Sequence, residues 1–153
     1  MKNLIAVAII TLAIGLLPAH SAYAMESIQT QPSSDGNFEA SLIGVKIRDE
    51  ILTLKVMLKN VGSKKKGISI EFAEVYYTDV KDKKKYFVLK DSEGIYIAGP
   101  QYGKSGGGYF KSYIEAGSQA IVWIKMPAPP ATTETIDLFL PGFLPLEEVA
   151  ITR

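Results

Sequence analysis

Between residues 51 and 60 the chain alternates without a break. Leu52, Leu54, Val56 and Leu58 fall on one side, and Thr53, Lys55, Met57 and Lys59 on the other. A two-residue period fits a β-strand, whose successive side chains point to opposite faces, and does not fit the longer period of a helix. Lys55 and Lys59 belong in water, so the four aliphatic residues are expected to face a core. The same pattern predicts strands over 38–47, 68–78, 86–89, 94–98, 109–114, 120–125 and 135–140, with a last one at 149–152, eight or nine in all. Turn residues separate them, as in Arg48-Asp49-Glu50, Gly62-Ser63-Lys64, the 81–85 lysine turn, 91–94 and 115–118. Prolines at 127, 129, 130, 141 and 145 require strands there to stop or to lie at edges. No segment carries the amphipathic helix that a parallel crossover needs, so the expected architecture is an antiparallel β-sandwich or barrel.

The N-terminus has a different character. Lys2 is followed by an apolar or small stretch over 4–17, then Pro18 and a polar segment ending Ala22-Tyr23-Ala24. This three-part pattern predicts a secretory signal over 1–24, cleaved after Ala24. The apolar stretch is shorter than the roughly 20 residues that span a bilayer, so no retained transmembrane anchor is expected. The polar segment 25–37 has no apolar periodicity and is expected to be a flexible leader, with one globular domain over 38–153. The predicted destination is the periplasm or the medium.

Removing the signal removes the only histidine, His20, and there is no cysteine anywhere. Most familiar acid-base, nucleophilic and metal chemistry depends on those two residue types. No cofactor or metal is expected, and the fold must be held by its core without disulfides. The exported chain would carry 16 basic and 16 acidic residues. With arginine only at 48 and 153, nucleic-acid binding is not expected.

The segment Leu52-Thr-Leu-Lys-Val-Met-Leu-Lys-Asn-Val-Gly62, an alternation closing in Asn-x-Gly, resembles the early strand of bacterial extracytoplasmic immunoglobulin-like domains. The stretches 115–130 and 136–149, which carry Trp123 and the Leu-Phe-Leu-Pro-Gly-Phe-Leu-Pro-Leu run, are similar to accessory sandwich domains that precede peptidoglycan-binding domains of the outer-membrane-protein-A type. The resemblance covers nearly all of 38–151 and implies an immunoglobulin-like β-sandwich of about eight strands. It also implies a binding or spacer module of the bacterial envelope without enzymatic activity. The chain departs from that pattern by stopping at Arg153, so wall attachment does not carry over.

Several constellations remain. Gly103-Lys104-Ser105 superficially looks like a phosphate loop, but Gly99 stands one residue too close and a strand-like segment follows in place of a helix. In the same glycine-rich loop, Tyr102, Lys104 and Tyr109 are the candidate partner-binding residues, because tyrosine offers an apolar face and a polar tip at low entropic cost. The plainer alternative lays these tyrosines back on the domain. Lys64–Lys66 and the lysines at 81 and 83–85 would make a positive patch if they shared one end of the domain. Otherwise they protect turns and edges from aggregation. Asp79 with Asp82, Asp91 with Glu93, and Glu147 with Glu148 are the carboxylate pairs left for a hydrolase, and all are expected to be solvated. Trp123 shares a strand face with Ile121 and Lys125; a core position is the commoner outcome and a marginal one the alternative. The apolar run 138–146 is expected to pack on the core. The partner would be another envelope protein or polymer. The competing role is a structural subunit self-associating through strand edges.

Overall fold

In the computed structural model the protein is described over residues 26–103, 107–151 and 153. The predicted signal segment and Lys104 lie outside these residues. Among them the structure is all-β, with eleven strands in antiparallel sheets and one short 3-10 turn at Phe72–Glu74. The strands are β1 (Gln29–Pro32), β2 (Phe38–Arg48), β3 (Ile51–Asn60), β4 (Lys66–Glu71), β5 (Tyr76–Asp79), β6 (Lys84–Phe87), β7 (Ala98–Gly99), β8 (Tyr109–Ile114), β9 (Gln119–Pro127), β10 (Thr135–Phe139) and β11 (Leu146–Ala150). A five-stranded sheet has the order β1-β2-β3-β9-β7, a four-stranded sheet the order β11-β10-β5-β6, and β4 pairs with β8. The sheets are open at both edges, so the barrel alternative is excluded.

The predicted faces of β3 are correct. Leu52, Leu54, Val56 and Leu58 are all buried, and they meet Val122, Ile124 and Met126 of β9 in a core that the four-stranded sheet completes with Tyr77, Ile136, Leu138 and Val149. The apolar run 138–146 does pack on this core through Leu138, Leu140 and Leu146, while Leu144 remains exposed.

Two strands change phase. In β2 the inward residues are Phe38, Ala40 and Leu42 and then Val45 and Ile47, because Ile43 is an extra residue between the pairs Leu42↔Val56 and Gly44↔Lys55. A bulge of this kind inserts one residue and re-aims everything beyond it. The predicted strand 68–78 is likewise two strands. Ile70 and Phe72 are buried in one phase and Val75 and Tyr77 in the other, and the 3-10 turn between them carries the chain from β4 to β5 in a different sheet.

The leader expected over 25–37 is corrected. Residues 29–32 form β1, paired in register from Gln29↔Leu42 to Pro32↔Glu39, and Asp35-Gly36 closes the hairpin. Asp35 accepts hydrogen bonds from Ser33 Oγ at 2.7 Å and from the Asn37 N–H at 3.1 Å, and it pairs with Lys66 at 2.7 Å. The Lys66 ammonium, with these hydrogen bonds, holds the exposed carboxyl well below its usual range. An Asp-Gly pair between strands is a strong hairpin signal, hidden here because β1 is a polar edge strand without apolar alternation.

The Asn-x-Gly motif has a local cause. Asn60 is fully buried and its side-chain amide donates to Ile114 O at 2.7 Å and to Lys64 O at 2.9 Å, while its Oδ1 accepts from the Gly62 N–H at 2.9 Å. One side chain thus closes the turn after β3 and ties it to β8.

Asp79 plays the matching part at the other end. It is fully buried, and its carboxylate accepts from Thr133 Oγ1 and from the backbone N–H groups of Lys81 at 3.0 Å and Asp82 at 3.2 Å. Burial opposes its charge, but the Thr133 bond, the two N–H donors and the Lys81 charge outweigh burial and hold the carboxyl below its usual value. A carboxyl lowered in the folded state stabilises the fold above its unfolded pKa, about 3.9, and loses that contribution as pH falls through the lower folded value. Replacing Asp79 with Asn is expected to cost about 1–3 kcal/mol near neutral pH. Urea unfolding of both proteins over an acid-to-neutral series should show the difference shrinking toward low pH.

Candidate functional site

The solvent-facing side of the five-stranded sheet follows from the same register that fixes its core. Rows of outward residues run across the strands: Ser41, Met57 and Ile121; then Gly44, Lys55, Trp123 and Gly99; then Lys46, Thr53 and Lys125. Lys46 and Lys125 flank Thr53 from either side. Lys55, two residues along β3, is the diagonal neighbour of both, at a spacing of about 7–8 Å. Three lysines from three neighbouring strands are therefore grouped about one threonine.

A groove of about 440 Å³ is lined by Lys46, Arg48, Asp49, Lys55, Lys125 and the Gly44 backbone, among others. Arg48 is paired to Asp49 at 3.3 Å. Among the described residues, Lys46, Lys55 and Lys125 have no ion-pair partner. The lysine stem of residue 55 leans over Gly44, with its carbons 3.5–3.7 Å from where a Cβ would stand.

Trp123 borders the groove on the opposite side of Lys55. Its exposure of 39% places it on the outer face, which settles the alternatives for this residue against the core. The indole covers Gly99: three adjacent ring atoms lie 2.9–3.1 Å from the position a Cβ would take there. The indole is thus held against the Gly99 backbone beside the equally exposed Ile121. Only glycine leaves room for this placement.

A second aromatic row crosses the outer side of the four-stranded sheet, where Phe139, Tyr76 and Phe87 are register partners. Here the faces are already occupied. Tyr76 and Phe139 stack at 4.7 Å, Phe87 tilts against Tyr76 at 5.8 Å, and Lys85 Nζ sits 4.3 Å from the Tyr76 ring centre. Among the described residues Trp123 has no comparable aromatic or cationic partner.

Of the loop residues singled out in the sequence, Tyr102 and Tyr109 are brought together, with ring centres 5.6 Å apart and a 2.9 Å backbone hydrogen bond from the Tyr102 N–H to Tyr109 O. Lys104 lies outside the described residues; Lys111 is the cation that approaches the Tyr102 ring, at 5.4 Å. The two lysine clusters do not share an end. Lys64–Lys66 lie beside Asn60, whereas the 81–85 turn is anchored by Asp79 and Thr133 near Pro127, the partner of Ile51 at the start of β3. Lys84 and Lys85 stand on the edge strand β6, where lysines discourage strand pairing.

Asp79 and Asp91 are engaged in turns, while Glu147 and Glu148 stand exposed on β11. Asp79 is buried and not solvated, and Asp91 accepts the backbone N–H groups of Glu93 and Ile95 at 2.9 Å each. Among the described residues no three Asp, Glu, His or Cys side chains gather as a metal cluster, and no helix is long and apolar enough to cross a membrane.

The groove was not foreseen from the sequence. Its lysines come from three strands, and each looks like an ordinary solvated residue until the register is known. No family model, curated protein or solved structure matches the chain.

The seating of the indole is testable because Trp123 is the only tryptophan. A Gly99→Ala methyl would meet the ring and force it outward. Its emission is expected to shift to longer wavelength and its quenching by acrylamide to rise, with the urea midpoint changing far less than for Asp79→Asn.

Proposed function

We propose that this chain is a non-catalytic binding module of the bacterial cell envelope, exported by its N-terminal segment and acting in the periplasm or outside the cell. In this reading its sheets form an immunoglobulin-like sandwich, and the outer face of the five-stranded sheet engages another envelope component. The observation that carries the proposal is the pairing on that face of a backbone-supported tryptophan with a groove whose Lys46, Lys55 and Lys125 have no ion-pair partner among the described residues. Natural surfaces seldom concentrate like charges beside an exposed aromatic without a use for them, since such a cluster repels itself.

Edge-to-edge assembly is the weaker reading. In the two large sheets the edges are a four-residue strand ending in Pro32, a two-residue strand, a strand opening on Lys84 and Lys85, and β11, which exposes Glu147 and Glu148; β4 and β8 each leave one further side unpaired. Short strands, proline and lysine all blunt edges against pairing.

The test is photo-crosslinking in intact cells, with a reactive residue placed at Trp123, at Ile121 or, as a control, at Thr78 on the outer side of the other large sheet. A discrete adduct from 121 and 123 and not from 78 is expected. Equal adducts from all three, or none, would remove the assignment of this face.

A further inference from the structure

We infer that the ligand of this face is an acidic glycan, a polysaccharide segment whose anionic group sits over Thr53 among Lys46, Lys55 and Lys125 and whose adjoining sugar ring lies on Trp123. This deepens the proposed function and rests on the reading of that face as a binding surface.

The charge argument comes first. Thr53 contributes a hydroxyl at the floor of the groove, and the three lysines around it have no carboxylate of their own among the described residues. Lysine acts as a mobile point charge and tolerates varied anion geometry. The groove is open along the sheet, which suits one unit of a chain better than a sequestered small molecule.

The tryptophan then separates the kinds of polyanion. A pyranose presents a flat face of C–H groups, and the part-exposed indole, seated on Gly99, is an aromatic surface on which such a face can rest. Lys46 lies two strands from Trp123 and Lys125 two residues along β9, while Lys55, the row neighbour of Trp123, is set about one strand spacing, roughly 4.8 Å, from it across the sheet. That is the separation between a sugar ring and the acid group on it or its neighbour. An acidic peptide would use the lysines but would have no need of the ring face. A peptide adding as a strand would need a free edge, and these residues lie on a sheet face. An anionic membrane would likewise engage the cations without a flat platform.

The experiment is titration of the purified protein with polygalacturonate oligomers, read by Trp123 emission and by calorimetry. Neutral dextran oligomers, polyglutamate and phosphatidylglycerol vesicles serve as comparisons. Saturable polygalacturonate binding is expected, weakening with salt, with a change in Trp123 emission and no binding of dextran. The double variant Lys55→Gln, Lys125→Gln should weaken it by about tenfold or more. Trp123→Ala should weaken it further than Trp123→Phe, and an unchanged urea midpoint checks that each variant is folded.

The inference is overturned if polygalacturonate does not bind or if the lysine variant binds it equally well. It is also overturned if polyglutamate or the vesicles bind as tightly and Trp123→Ala makes no difference, which would point to an acidic protein or a lipid surface. Failure with polygalacturonate while crosslinking at 121 and 123 persists would remove the glycan and leave the binding role. Failure of both would remove both.

Discussion

The structure depends on the commitment of β3. Leu52, Leu54, Val56 and Leu58 are each at most 1% exposed, and β3 is paired along its length with β2 on one side and β9 on the other. A strand held this way cannot slip by one residue without moving four aliphatic side chains into water, at about 1.5–3 kcal/mol each. Its outward residues are therefore as strictly placed as its inward ones. Thr53 and Lys55 face solvent because their neighbours cannot. The position of the groove is a by-product of the strongest part of the core.

Around this strand the ends of the domain are closed by buried polar side chains. Asn60 satisfies the turn after β3 and a carbonyl of β8, and Asp79 gathers the turn after β5 together with Thr133. Tyr77 adds a link between the two large sheets, its buried hydroxyl donating to Pro127 O at 2.7 Å and its ring stacked on Tyr86 at 4.8 Å. Burial, with the nearby Tyr86 and Asp79, pushes this phenol above its usual range, so it remains a donor. In a domain without cysteine these contacts fix how the sheets meet, where many exported domains would use a disulfide.

What was legible in the sequence follows from which residues a strand must bury. β3 and β10 could be read because one face is apolar and the other mostly polar, whereas β8 and β9 could be read as strands but not by face, since Tyr109 and Tyr113, or Ile121 and Trp123, lie on their outer sides. β1 could not, because an edge strand of Gln, Thr, Gln and Pro buries little, and only Asp35-Gly36 announced its hairpin. The two phase changes were visible in principle. Phe38, Ala40 and Leu42 are out of step with Val45 and Ile47, as Ile70 and Phe72 are with Val75 and Tyr77. Each offset marks an extra residue, but period-2 counting alone does not say whether it is a bulge within one strand or a passage to another sheet. The grooved outer face of the five-stranded sheet was less legible still. A lysine pattern has meaning only once the partner strands and their register are known, whereas Tyr102 and Tyr109 stood out because they are close in sequence.

The single extra residue at Ile43 has a wider consequence for how this protein can change. The bulge works on the strand as a reading frame works on a message. Beyond it, Val45 and Ile47 point inward and Lys46 and Arg48 outward, and the groove opens where the frame shifts. Side-chain identity at position 43 is then a matter of local fit, while the bulge, by taking up one residue between Leu42 and Val45, decides which half of the strand's end meets oil and which meets water. Lineages of such a domain are free to exchange the residue there, or to lose it together with the bulge, but not to straighten the strand around it. A regular strand that kept Ile43 would exchange the sense of every later position in β2, turning two cations into the core and two aliphatics out of it, whereas without the residue Leu42 and Val45 would stand two apart and still share a face.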